Sequence, residues 1–255
     1  MKNAVGLPSK VGSSRVLVSL STRRMALFKP FSDDFLKLME KLVLDRNETV
    51  SSSYAVAAGY IARSASDKQL LRLMAFCKRL YFESEGDREA SIPRRSISSG
   101  EVMHAVSKHA SDRFNALASS ALPFVFVAKH DSHEQVKEQY QNTWNESVGG
   151  SRAVLLYLTE ILQLCTTYLD SAQWTLKHTS ARAVADAIIV VSAMESTMSQ
   201  KTAEQLWPAI EKGLSGKTWE GKEAVLFAFV KFVEKGQAFY LQRNDVKSAI
   251  TKVSK

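Results

Sequence analysis

The feature that most constrains this 255-residue chain is self-similarity at a spacing of forty-five residues. "QWTLKHTSARAVADAI" from Gln173 aligns with "TWEGKEAVLFAFVKFV" from Thr218, so Trp174 and Lys177 fall opposite Trp219 and Lys222. Ala181, Val184, Ala185 and Ile188 then fall opposite Leu226, Phe229, Val230 and Val233, all residue types that turn inward. A second marker is a proline inside a helical window, Pro123 in "LPFVF" and Pro208 in "LWPAI", with the two prolines about two periods apart. A single helix pair cannot bury both of its apolar faces. Pairs that recur every ~40–47 residues therefore stack and share one continuous core.

The rest of the chain agrees with a string of helices. Eleven glycines and five prolines are few for this length, which argues against an all-β fold with its many turns. Apolar residues at i, i+3, i+4, i+7 mark helix after helix: Phe35, Leu38, Met39 and Leu42 behind an N-cap at Ser32; Val50, Tyr54, Ala57, Ala58 and Ile61 behind the turn Asp45 to Asn47; Leu70, Leu71, Met74, Cys77 and Leu80 or Tyr81 behind Ser66-Asp67. Val102, Val106 and His109 suggest a fourth helix. Phe114, Leu117, Leu122, Val125 and Phe126 mark a fifth, bent at Pro123. Ser132 to Gln135 fits a capping box ahead of Val136, Tyr140 and Trp144. Val154, Leu155, Leu158, Ile161, Leu162, Cys165 and Leu169 form the strongest stripe. Windows over 174–194, 200–214 and 218–237, with a short one from Asn244, complete the set.

These windows predict an all-α fold, an α-solenoid of about five stacked antiparallel helix pairs resembling HEAT or armadillo repeats. We expect residues 1–255 to form a single such segment, with "ESEGDREASIPRRSISS" (83–99) as its one long polar linker. The signature positions are Pro123, Trp174, Lys177, Pro208, Trp219 and Lys222. The two tryptophans are expected to fill space between successive pairs, and the lysines to lie along the stack with their ammonium groups in water.

Bulk properties narrow the function. No apolar run approaches the ~18–20 residues that span a bilayer, and the N-terminal segment lacks the apolar core of a signal peptide. Cys77 and Cys165 are too few for a disulfide framework or a thiolate zinc site. The net charge of +8 is spread along the chain, with only Arg23-Arg24, Lys78-Arg79 and Arg94-Arg95 as basic doublets, which does not describe a nucleic-acid surface. We therefore expect protein partners, with no cofactor, no metal, no nucleic acid, no small-molecule substrate and no membrane insertion.

Two segments imitate chemical sites. In "KGLSGKT" (212–218) the Gly216-Lys217-Thr218 triplet is that of a phosphate loop, but the first required glycine is replaced by Glu211 and the upstream segment is helical in pattern. His130-Asp131-Ser132-His133-Glu134 gathers metal-capable side chains in a turn without a third ligand. Neither these nor any Gly-x-Ser-x-Gly elbow makes a catalytic constellation.

Particular stretches point further: "GLPSKVGSSRVLVSL" (6–20), "DRNETVSSSYAVAAGYIAR" (45–63), "LPFVFVAKHD" (122–131), "TWNESVGGSRAVLLYLTEI" (143–161) and "GLSGKTWEGKE" (213–223). Together they resemble the carboxy-terminal part of the family of proteasome adaptor and scaffold proteins, over about residues 6–233. The resemblance implies HEAT repeats, a non-enzymatic scaffold that tethers or monitors the core and regulatory particles of the 26S proteasome, and a cytoplasmic and nuclear location. Members of that family are several times longer, so a segment of a longer polypeptide is expected. A transport-receptor-like HEAT adaptor is the alternative, and a nucleotide-hydrolysing enzyme built on Gly216-Lys217-Thr218 is a third reading.

Overall fold

A computed structural model describes residues 6–83, 86, 92–147, 150–194, 197–215 and 222–253. Every regular element among them is helical. In chain order these are α1 (Leu7–Arg23), α2 (Met25–Phe28), a 3-10 turn (Lys29–Phe31), α3 (Ser32–Leu42), α4 (Glu48–Ala62), α5 (Asp67–Phe82), α6 (Arg94–His109), α7 (Ser111–Ala116) and α8 (Ala118–Ala128). They continue with α9 (Glu134–Glu146), α10 (Ser151–Leu156), α11 (Leu158–Leu169), α12 (Trp174–Met194), α13 (Gln200–Leu214), α14 (Lys222–Lys235), α15 (Gln237–Leu241) and α16 (Asn244–Val253).

Side-chain caps start several of these helices where the sequence places them. Asn47 accepts the Val50 N–H ahead of α4, and Ser66 accepts the Gln69 N–H ahead of α5. Ser199, which the pattern does not single out, accepts the Thr202 N–H ahead of α13. Other expectations need correcting. Ser32 is no cap: it is buried inside the first turn of α3, 2.7 Å from the Ser64 hydroxyl. The capping box at Ser132 is not formed either, since α9 starts after His133 without a side-chain cap. The fifth helix breaks at Leu117, between α7 and α8, while Pro123 sits inside the continuous α8.

The polar linker is the largest correction. Residues 94–99 open α6, and Ser96, Ser98 and Ser99 are buried in it. A serine-rich stretch looks like a linker by composition. Here the serines are small enough to let neighbouring helices approach, and the Ser98 and Ser99 hydroxyls find partners across the interface. Residues 84, 85 and 87–91 of the expected linker lie outside the described residues.

Contacts divide the chain into two compact units, one holding α1 to α9 and the other α10 to α16 together with His130–Ser132. The first unit is a two-layer stack. α3, α5 and α8 follow one another in one layer, and α1, α4, α6 and α9 in the other. Across the layers, α3 packs on α4, α5 on α6 and α8 on α9, giving three helix pairs. Tyr54, Tyr81, Phe114, Phe124, Phe126 and Tyr140 fill this core and are essentially inaccessible to water.

The second unit repeats the plan with α11 on α12 and α13 on α14, α11 beside α13, and α12 beside α14. The forty-five-residue register is visible in its burial. Leu158, Ile161, Leu162 and Cys165 of α11 correspond to Ala203, Leu206, Trp207 and Ile210 of α13, and all eight are buried. Ser180, Ala183, Val184 and Ala187 of α12 correspond to Val225, Ala228, Phe229 and Phe232 of α14, again all buried. The fold is thus all-α, with three stacked helix pairs in the first unit and two in the second among the described residues, the arrangement of an α-solenoid within each unit.

One detail of the expected alignment is corrected. Of Leu226, Phe229, Val230 and Val233, only Phe229 is buried; Val230 is 51% exposed, and Leu226 and Val233 are partly exposed. The period is right, but the inward stripe of α14 lies one step round the helix from the one the pattern selects.

Candidate interaction surface

In the first unit, the layer of α4, α6 and α9 presents a ridge whose helices are held unusually close. A Cβ on Gly59 of α4 would lie 2.3 Å from the Ala105 carbonyl oxygen of α6, and one on Gly100 of α6 would lie 2.9 Å from Gln139 Cβ of α9. Hydroxyls bridge the gaps that glycine opens. Ser51 donates to the Val43 carbonyl at 2.5 Å and lies 3.1 Å from the Ser98 hydroxyl. Ser99 donates to the Cys77 carbonyl of α5 at 2.7 Å and meets the Tyr140 hydroxyl of α9 at 2.6 Å. One buried serine thereby joins three helices.

Above this frame lies a partly exposed row of polar and aromatic groups. Ser52 donates to Glu101 at 2.5 Å, and Tyr60 stacks on His109 with ring centroids 4.1 Å apart. His104 places Nδ1 3.1 Å from the Gln139 side-chain oxygen and Nε2 3.2 Å from the Glu146 carboxylate. Burial raises the Glu101 carboxyl, partly offset by the Ser52 hydrogen bond. Burial, with Lys108 and His104 nearby, lowers His109, so its ring is neutral at neutral pH and stacks on Tyr60 as an uncharged aromatic. Aromatic faces and fixed hydrogen-bonding groups on a rigid helical ridge suit recognition of a protein.

The loops at one edge of this unit are tied to one another. Asp33 accepts the Ser66 N–H and hydroxyl, both at 2.7 Å, and these bonds hold its carboxyl below the usual range. Arg113 of α7 donates to the Ala65 carbonyl and the Asp67 carboxylate at 2.7 Å each, and to the Arg63 carbonyl at 3.3 Å. Each loop therefore fixes the next, and an open cleft lined by Lys29, Asp33, Ser66 and Arg113 lies between them.

The signature residues occupy separate elements. Pro123 is buried within α8, and Pro208 faces solvent within α13. Trp174 is 46% exposed at the start of α12, its ring 6.2 Å from that of His178, so it does not fill a gap between pairs. Lys177 is partly buried one turn along α12, and Lys222 opens α14. Trp219 and the triplet Gly216-Lys217-Thr218 lie outside the described residues. The segment before that triplet is α13, where a phosphate loop requires a strand. His130 pairs with Asp186 at 3.2 Å, and among the described residues no group of three or more His, Cys, Asp and Glu side chains is placed to hold a metal. Burial pushes the Cys77 thiol up to about 12 and raises Cys165 further, which leaves both as protonated core residues.

The HEAT-repeat domain of proteasome adapter and scaffold protein ECM29 matches residues 1–82. The similarity extends well beyond them. The chain is 28% identical over 253 residues to proteasome component ECM29 of Saccharomyces cerevisiae, covering 99% of this chain and 13% of that protein. It is a relative of the proteasome adaptor and scaffold proteins. Another relative, proteasome component ecm29 of Schizosaccharomyces pombe, is 30% identical over 235 residues, 92% of this chain and 13% of its own. Proteasome adapter and scaffold protein ECM29 of Homo sapiens is 27% identical over 235 residues, 89% of this chain and 12% of its own. The chain thus spans about one eighth of the length of the curated relatives it matches.

Sequence reasoning missed the residues that build the ridge. Gly59, a glycine inside a helical window, and Gly100, just past the expected linker, were the available signal for close helix approach. Arg113 and Ser99 carried none, because their partners come from loops and helices remote in sequence.

Proposed function

We propose that this chain is a non-enzymatic scaffold segment that binds subunits of the 26S proteasome through its stacked helix pairs. The observation that carries this reading is the similarity to proteasome components and adapters over 89–99% of the chain. The structure supports it through a rigid two-layer frame whose cysteines are buried and protonated. Tethering of core and regulatory particles, or surveillance of defective ones, and a cytoplasmic and nuclear location belong to the same reading.

The test is binding of the purified, tagged chain to purified 26S, 20S core and 19S regulatory particles in separate native-gel and co-sedimentation assays. A saturable shift with at least one particle is expected, and no shift with any of the three overturns the proposal. A charge-preserving change on the ridge, Tyr60→Ala with His109→Ala, locates the contact: loss of the shift assigns it to α4 and α6.

A further inference from the structure

In the first unit α6 is held between α4 and α9, and an imidazole stands at each of those two contacts. His109 stacks on Tyr60 of α4, and His104 reaches α9. The two nitrogens of His104 face two oxygens, Nδ1 the side-chain oxygen of Gln139 and Nε2 the carboxylate of Glu146. Nε2 is shut off from water and has no hydrogen bond among the described residues, although a Glu146 oxygen is 3.2 Å away. A neutral ring carries one N–H and can serve only one of these acceptors, whereas an imidazolium carries two. Glu146 is also the last residue of α9, and the last turn of that helix has no basic side chain of its own. A helix end of this kind disfavours a carboxylate and favours a cation beside it.

We propose that α6 carries a proton-operated latch, in which one proton taken up by His104 locks α6 to the end of α9 through Glu146 while His109 stays uncharged on Tyr60. The device holds whether or not the ridge contacts the proteasome. One carboxylate serves two imidazoles, and this decides which of them takes the proton. Glu146 is the group that favours a charge on His109, while burial, Lys108, His104 and Arg63 all oppose one. A proton on His104 engages Glu146 and adds a like charge about one and a half turns along α6, so the second proton is refused. The other titratable groups on α6 and on the helices packed against it are engaged or in water. Glu101 is bonded to Ser52, Tyr140 of α9 to Ser99, and Arg113 of α7 to the loop between α4 and α5. Cys77 of α5 is a protonated thiol, and Arg63, Lys108, Asp112 and Glu138 are exposed. The latch is closed where the ring is charged and Glu146 ionised, and it opens where the ring is neutral.

Hydrogen exchange of the backbone amides at residues 143–147, corrected for the intrinsic pH dependence of exchange, reads the latch. Protection at about pH 6 is expected to exceed that at about pH 8 by about two- to fivefold. The gain is expected to vanish in His104→Gln and in Glu146→Gln, and to survive in His109→Gln. It is expected to grow in Gln139→Glu, which sets a second carboxylate against Nδ1. The four positions are exposed or partly exposed, so each variant folds, which circular dichroism verifies. Equal protection at the two pH values overturns the proposal in favour of a neutral ring that donates from Nε2 to Glu146 and accepts from the Gln139 amide. A gain that survives in His104→Gln overturns it in favour of another titrating group, and loss of the gain in His109→Gln overturns the division of roles between the two rings.

Discussion

A Cβ added to Gly59 would fall 2.3 Å from the carbonyl oxygen of Ala105, closer than any real Cβ approaches a neighbouring oxygen. The obstacle is backbone, so α4 and α6 must move apart to admit even one methyl group. Gly59→Ala should therefore destabilise the first unit by about 1–3 kcal/mol, despite the ~1 kcal/mol that alanine gains over glycine in a helix. Urea unfolding checks this. Helix pairs contact only their neighbours, so the loss should be confined to one transition if the two units unfold separately.

Trp207 and Trp174 should respond in opposite ways to truncation. Trp207 is 2% exposed, packs near Phe229 and Phe232, and donates its indole N–H to Asp245 at 3.2 Å. Trp207→Ala should cost about 3–5 kcal/mol. Trp174→Ala should cost about 1 kcal/mol or less, because half of the indole is already in water. Thermal unfolding of the two variants side by side decides the order.

Arg113 closes the loop between α4 and α5 with three donors, on a side chain 30% exposed. Arg113→Ala should lower stability by about 1 kcal/mol after screening by solvent is allowed for, and Arg113→Lys should recover only part of it, because an ammonium cannot reach two carbonyls and a carboxylate in one plane. Hydrogen exchange at the end of α4 provides a local readout.

Asp33 and Asp45 have carboxyls held below their ordinary value, Asp33 by the Ser66 donors and Asp45 by Lys10 and the Asn47 N–H. A lowered native pKa means the unfolded chain binds protons first as pH falls. Their stabilisation is then complete above about pH 4 and disappears as pH drops through the lower native values. In Asp33→Asn the slope of stability against pH below 4 should flatten, measured by urea midpoints between pH 5 and 2.

The Cys77 and Cys165 thiols should not react with a disulfide reagent at pH 8 in the folded chain, and both should react at once in denaturant. Titration of free thiols with and without guanidinium tests this. Rapid reaction of either thiol in the folded state would contradict the burial described above.

Much of the fold is legible in the sequence because helix caps and the period of the apolar residues are local. Asn47 and Ser66 cap where their neighbours predict. The face of α14 is not legible for a physical reason. "KEAVLFAFVKFVEK" is apolar on several sides, and only packing against α12 and α13 selects Val225, Ala228, Phe229 and Phe232 for the core. The first turns of α6 were hidden for the opposite reason. Ser96, Ser98 and Ser99 look like solvent-loving residues, and the hydrogen-bond partners of Ser98 and Ser99 lie twenty to fifty residues away. The signature positions Trp174 and Pro208 repeat in sequence yet sit at the surface, so periodicity found the unit without finding the ridge.

The shared register of α11 with α13 and of α12 with α14 has a consequence for descent. When buried positions coincide at one fixed spacing, copying that whole length of gene gives the new helices a ready-made neighbour on either side. Copying one residue more or fewer within a helix turns everything after it by about 100° and swings charged side chains such as Lys231 toward the core. Such a lineage lengthens in whole steps, and its tally of steps is a record of inheritance written in packing.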